Sequence, residues 1–252
     1  MTNPKVALQL FTLRDYDKDD FSTKLRKVSE AGYDGVEFAG FADVPAEEMR
    51  AILDENNLVA MGSHTNVDEL LNDFDGVIAY NKVIGTSYII IPYYKMESIE
   101  DKDRLVSIVK DIGPKIQAAG MNLLYHNHYH ELNHDLGDKT ILEMLKEEAN
   151  EGELNFEIDM FWTTHADHNP AELLNDFGTR CKTVHLKDMV DKEEKTMTEV
   201  GTGILDLQAI LSTCKSAGFG WVVVEQDRIT MDGYDSIKIS LQNVKNVMKE
   251  LQ

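Results

Sequence analysis

The chain has 252 residues, 42% of them hydrophobic, and a formal net charge of −20. A field of that sign repels a phosphate backbone, which excludes a broad DNA- or RNA-binding surface. No apolar run approaches the ~20 residues of a membrane span, and the N-terminal MTNPKVALQLF reads as a first strand rather than a secretory leader. Cys181 and Cys214 fall on an apolar strand and an apolar helix stripe. They read as buried thiols of a reducing compartment, which makes a cytoplasmic location the expectation.

Two kinds of segment then alternate along the chain. A β-type run at residues 6–13 precedes a helical stripe of Phe21, Leu25 and Val28, ended by Gly32. A second run, 35–39, precedes Met49, Ile52 and Leu53, with Pro45 near the helix start. The run 59–64 leads to one stripe of Leu70, Leu71, Phe74, Val77 and Ile78, ended near Gly85. The run 88–93 leads to Leu105, Ile108, Val109, Ile112 and Ile116, ended at Gly120, with Pro114 expected to kink that helix. Runs at 122–128, 155–161, 182–187 and 221–226 follow. Their helical partners are centred on Leu142, on Leu174 behind Pro170, on Ile210 before Gly218, and on Leu241.

Eight strand–helix pairs predict a parallel α/β sheet, and eight in one chain fit a single (β/α)8 TIM barrel spanning residues 1–252. No G-x-G-x-x-G follows the first strand, which disfavours a dinucleotide-binding sheet.

In such a barrel the site lies at the C-terminal ends of the strands. Those ends carry Gln9, Glu37, His64, His126 and His128, Glu157 and Asp159, His185 and Lys187, and Glu225 and Asp227. Asp159, His185 and Glu225 close three consecutive strands, and His126 closes the neighbouring one. Such a mixed imidazole and carboxylate shell suits one divalent ion: Mn2+, Co2+, Zn2+ or Mg2+. His128 and Glu225 are candidate acid/base groups, and Lys187 is a candidate enolate or anion binder. Gln9, Glu37, His64, Trp162 and Lys187 are candidate substrate contacts. Glu157 sits one layer deeper than Asp159 and reads as a structural partner. Gly201 and Gly203 read as a tight turn over the site.

Several segments resemble the xylose isomerase-like barrel superfamily, the sugar phosphate isomerase/epimerase group, across essentially the whole chain. They are VALQLFTLRD, AGYDGVEFAG, YHNHYHEL, FEIDMFW, VHLKDM, EVGTGILD and WVVVEQD. The resemblance implies one metal held by Glu, Asp, His and Glu from strands five to eight, of which Asp159, His185 and Glu225 match the last three. It departs at strand five, where an E-x-H pattern is replaced by His126-Asn127-His128. Either His126 or the nearby Glu131 then completes the shell, and His128 matches the neighbouring histidine.

The function this implies is isomerisation or epimerisation of a sugar or sugar phosphate, through an ene-diolate formed by proton transfer α to a carbonyl. The alternative is dehydration of a keto-polyol, as in inosose dehydratase-like relatives. A metal-dependent endonuclease-type hydrolase and a non-catalytic sugar-binding protein stand behind these. The expected partner is a small sugar or polyol, with no nucleic acid and no membrane; a homo-oligomer is left open.

Overall fold

A computed structural model describes residues 2–16, 19–134 and 136–251. Eight parallel strands close on themselves: β1 Lys5–Gln9, β2 Gly35–Ala39, β3 Val59–His64, β4 Tyr88–Ile91, β5 Asn122–His126, β6 Asn155–Asp159, β7 Cys181–Leu186 and β8 Trp221–Val224. Each pairs with its sequence neighbours, and β8 returns to β1 through the register Lys5↔Trp221 to Leu8↔Val224. Helices lie between consecutive strands, so the expected (β/α)8 barrel is the fold observed.

Strand side chains alternate between the two faces of the sheet. The outward set, among them Leu8, Val36, Phe38, Ile89, Phe156, Val184 and Val222, shares one buried cluster with the helix stripes of Leu25, Leu53, Leu105, Val109 and Leu211. Each fully buried aliphatic side chain there contributes about 1.5–3 kcal/mol. The inward set makes only a small apolar plug of Ala7, Met61 and Val223. Beyond that plug the inward positions turn polar: Gln9, Glu37, His126, Glu157, Asp159 and His185 are all buried. Cys181 and Cys214 are buried and free, in line with the sequence expectation. Among the described residues no helix is long and apolar enough to cross a membrane.

Many acidic residues outside the site start helices. Asp20, Asp206 and Asp232 cap the helices Phe21–Ala31, Leu207–Ala217 and Gly233–Glu250, each accepting a backbone N–H of the first turn. Thr140 and Glu143 form a capping box on Ile141–Glu148. Part of the negative charge is therefore spent on local structure.

The elements differ from the sequence pattern where a side chain redirects the backbone. β1 stops at Gln9 rather than running to residue 13, because Gln9 Oε1 accepts the Phe11 N–H at 3.0 Å and starts the 3-10 turn Leu10–Leu13. β6 stops at Asp159 because its carboxylate accepts the Trp162 N–H at 2.8 Å and caps the helix Met160–His165. β5 ends at His126, leaving His128 on the following loop. The single stripe expected after β3 is two helices, Val67–Asn72 and Phe74–Ile84, divided where Asp73 caps the second, and Leu71 is exposed. Pro114 lies inside the helix Ile99–Ala118.

After β7 the short strands Asp188–Met189 and Met197–Thr198 pair antiparallel. The Asp188 carboxylate gathers the loop behind them, accepting N–H groups from Met189, Gly201, Gly203 and Leu205 at 2.8–3.1 Å. A Cβ on residue 203 would lie 2.2 Å from the Met189 carbonyl oxygen. Gly203→Ala is therefore expected to cost about 1–3 kcal/mol of stability, as overpacking does. Urea unfolding checks this, and an unshifted midpoint would show that the backbone approach at Gly203 is not tight.

Candidate metal centre and cavity

Two inward layers of polar side chains stack at the C-terminal end of the barrel. The lower layer is built from Gln9, Glu37, His64 and Glu157. Gln9 Nε2 donates to Glu37 Oε1 at 2.7 Å. His64 Nε2 lies 3.0 Å from the same oxygen and 3.2 Å from Glu157 Oε2. The upper layer holds Asp159, Glu225 and Lys187. The rings of His126 and His185 stand between the layers, their centroids 4.4 Å apart. His185 places Nε2 at 2.7 Å from Glu37 and 2.9 Å from Glu157, and Nδ1 at 2.7 Å from Glu225. His126 places Nδ1 at 3.2 Å from Glu157 and Nε2 at 3.7 Å from Asp159.

Strand register brings these groups together. Gln9 pairs with Glu37, His126 with Glu157, and Asp159 with His185. Residues two apart on β6 face the same way, so Glu157 and Asp159 both point inward. Asn127 faces β6 and accepts the Asp159 N–H at 3.1 Å, which ties the end of that strand to the next loop.

The electrostatics are one-sided. Glu37, Glu157, Asp159 and Glu225 are buried, and Asp227 stands beside them. One ammonium faces them: Lys187 Nζ lies 2.7 Å from Glu225, 3.1 Å from Asp159 and 3.3 Å from Asp227. Burial opposes charge on His185, but Glu157, Glu37 and Glu225 outweigh it and hold the imidazole pKa well above its ordinary value. Burial likewise opposes ionisation of Glu37 and Glu225, but the His185 and His64 charges overcome it at Glu37, and the Lys187 and His185 charges overcome it at Glu225, holding both carboxyls below the usual range. Burial pushes the Asp159 pKa up to about 6 and raises that of Glu157. Burial and the Lys187 charge push His128 down to about 3, so its ring is neutral at neutral pH.

A divalent cation fits this set. Buried carboxylates must be paired or coordinated, yet Glu37 Oε2 and Glu157 Oε1 are buried and make no hydrogen bond, and Asp159 Oδ2 meets Lys187 Nζ at 3.1 Å without a well-aligned hydrogen bond. Two overlapping groups of four have donor atoms within 4.8 Å of one another: His126, Asp159, His185 and Glu225; and His64, His126, Glu157 and His185. Beside them opens a cavity of about 410 Å3, within the range of small-molecule sites. Its walls include His64, His126, His128, Lys187, Glu225, Asp227, Tyr93 and Phe11.

Residues 25–249 match the family described as the xylose isomerase-like TIM barrel. The chain belongs to that family. Among curated proteins it resembles, an inosose dehydratase of Geobacillus thermodenitrificans is 25% identical over 146 residues, 51% of this chain and 48% of that protein. The chain thus aligns with about half the length of the curated relatives it matches. A sugar phosphate isomerase/epimerase structure from Parabacteroides distasonis superposes with a TM-score of 0.82 at 19% identity, covering 98% of this chain and 96% of that one. An IOLI protein structure with a bound zinc atom superposes with a TM-score of 0.75 at 17% identity, covering 98% of each chain.

In this xylose isomerase-like barrel the sequence candidates fall into distinct places. His126, Asp159, His185 and Glu225 come together, with Lys187 against two of them. His64, Lys187 and His128 line the cavity. Gln9 and Glu37 lie beneath the cluster and bond each other rather than lining the cavity. Trp162 packs against His128, ring centroids 5.4 Å apart, and lines a neighbouring cavity with Phe161 and His165.

Glu131 is not brought to the cluster. Its carboxylate accepts the Tyr125 hydroxyl at 2.5 Å and the His128 N–H at 2.8 Å. Tyr125 faces the outer side of β5, opposite His126, and holds Glu131 there. Glu157 is the residue whose place the sequence understated: it touches three imidazoles. The signal was its period-2 spacing from Asp159 on a strand whose neighbours both carry a histidine at or next to their last residue.

Replacing His185 leaves Glu37, Glu157 and Glu225 without their shared partner. His185→Ala is expected to destabilise the metal-free protein by about 3–5 kcal/mol, as broken buried pairs do, and to abolish zinc uptake. Denaturant unfolding in chelator and a zinc competition titration check the two parts.

Proposed function

We propose that this barrel is a divalent-metal-dependent sugar isomerase or epimerase that moves a proton on the carbon α to a carbonyl. The observation that carries the reading is the placement of a neutral imidazole, His128, on the cavity wall beside a buried two-nitrogen, two-oxygen donor set. His126, Asp159, His185 and Glu225 are the proposed ligands. Two imidazoles and two carboxylates suit Zn2+, Co2+ or Mn2+ better than Mg2+, which prefers an all-oxygen shell. When bound, such an ion acts as a Lewis acid that polarises a carbonyl and acidifies its α-hydrogen.

His128 is the proposed base. Its ring lines the cavity and is neutral, as a general base must be before it takes a proton. Lys187 is its counterpart. Burial disfavours its charge, but Asp159, Glu225 and Asp227 outweigh this and keep it an ammonium. From the cavity wall it can stabilise the oxyanion of an ene-diolate or return a proton. His64 reaches the same space and can hydrogen-bond a sugar hydroxyl. Delivery of the proton to the adjacent carbon isomerises, and delivery to the opposite face of the same carbon epimerises.

One observation favours a second reading. Asp227 lines the cavity, and burial raises its pKa. Asp227 and the Lys187 ammonium 3.3 Å from it could together deliver a proton to a departing β-hydroxyl, which would make the reaction a dehydration. The product separates the two, since dehydration yields a conjugated carbonyl one water lighter than the substrate.

The metal-loaded protein is expected to exchange the α-hydrogen of a ketose, keto-inositol or keto-glycoside with solvent deuterium, followed by NMR. Exchange should stop on chelation. His128→Asn should slow it by ~10²–10⁴-fold, the usual weight of a general base, with metal affinity unchanged. No exchange with any sugar of that panel would refute the proposal.

A further inference from the structure

We propose that Glu157 is a positioning residue whose carboxylate, joined by that of Glu37 at His185, fixes the tautomers of both liganding histidines. His126 Nε2 and His185 Nδ1 are then the atoms presented to the metal. This rests on the metal-dependent reading above and deepens it.

A neutral imidazole that gives one lone pair to a metal carries its proton on the other nitrogen, and the partner of that proton sets the tautomer. Here one oxygen serves both rings. Glu157 Oε2 lies 3.2 Å from His126 Nδ1 and 2.9 Å from His185 Nε2. The hydrogen bond of His185 Nε2 runs to Glu37 Oε1 at 2.7 Å, itself held by Gln9 Nε2, so Glu157 acts on this ring together with Glu37. The opposite edges of the rings face the upper carboxylates, His126 Nε2 toward Asp159 and His185 Nδ1 toward Glu225. Two histidines from β5 and β7, on either side of β6, thus use different ring atoms for the same task.

The arrangement also separates the two overlapping donor groups, which share both rings. The group with Asp159 and Glu225 borders the open cavity through His126, Glu225 and the adjoining Lys187. The other group reaches the same cavity through His64 and His126, whereas Glu157, and Glu37 beneath it, do not line it. What distinguishes the upper group is a carboxylate, Glu225, that itself lines the cavity beside Lys187, whereas the carboxylate of the lower group, Glu157, lies beneath the rings. The floor of the site is therefore a hydrogen-bonded base for the ligands.

Long-range 1H–15N spectra of the zinc-loaded wild-type protein test this directly. The expected pattern is a protonated Nδ1 on His126 and a protonated Nε2 on His185. The reverse tautomer at either ring overturns the proposal, and this readout does not depend on any variant folding.

Zinc competition against a chromophoric chelator supplies the second arm. Glu157→Gln should weaken zinc by ~10–100-fold, as loss of an outer partner does, while Asp159→Asn and Glu225→Gln should weaken it further. Unchanged affinity in Glu157→Gln overturns the positioning role. So does loss of binding in both Glu157→Gln and His64→Asn with retention in Asp159→Asn and Glu225→Gln, because the floor would then be the metal site itself. Failure of the wild-type protein to take up zinc, cobalt or manganese would overturn the metal reading and this proposal with it.

Discussion

A carboxylate taken out of water needs a countercharge or a set of donors, and an unmatched one costs several kcal/mol. This barrel buries Glu37, Glu157, Asp159 and Glu225 together, with one ammonium among them. Imidazoles fill the remaining space, and three carboxylates converge on His185 alone. The rest of the chain provides the setting for this cluster. The outer hydrophobic layer closes the sheet, the plug of Ala7, Met61 and Val223 seals the lower end, and helix caps hold the loops that frame the opening. A buried arrangement so rich in negative charge is a poor use of folding energy unless a cation completes it.

Strand five gives the centre its chemical character. Where the family resemblance implies a carboxylate, this chain has His126. The donor set then becomes evenly nitrogen and oxygen, and a symmetric exchange of protons between two bound glutamates is lost. Proton transfer passes instead to groups that line the cavity without belonging to the proposed shell. His128 is neutral and unpartnered on one wall, while Lys187 is charged and anchored among carboxylates. That asymmetry suits a reaction in which one group removes the proton and another steadies the negative charge or returns the proton.

Much of the fold was legible in the sequence because it rests on periodicity. Strands with apolar outward faces and helices with apolar stripes announce themselves at spacings of two and of three to four residues. Element ends were less legible, since single side chains decide them: Gln9 turns the chain out of β1, and Asp159 starts a helix that the apolar run 155–161 concealed. Within the site, strand order and alternation were enough to expect His126, Asp159, His185 and Glu225 at neighbouring positions. Depth was harder to read. Glu157 and Glu37 resembled ordinary partners because sequence spacing does not say how far down a barrel one inward residue lies relative to those of other strands. Glu131 looked like a spare ligand because it follows His128 closely, yet the local turn aims it at Tyr125.

The account turns on where the cation sits. Anomalous diffraction from crystals grown with zinc, measured on both sides of the metal edge, answers that without reference to any substrate. The account predicts one peak bounded by His126 Nε2, Asp159, His185 Nδ1 and Glu225, open toward Lys187 and His128. A peak between His64 and Glu157, or no peak within the barrel, would contradict it.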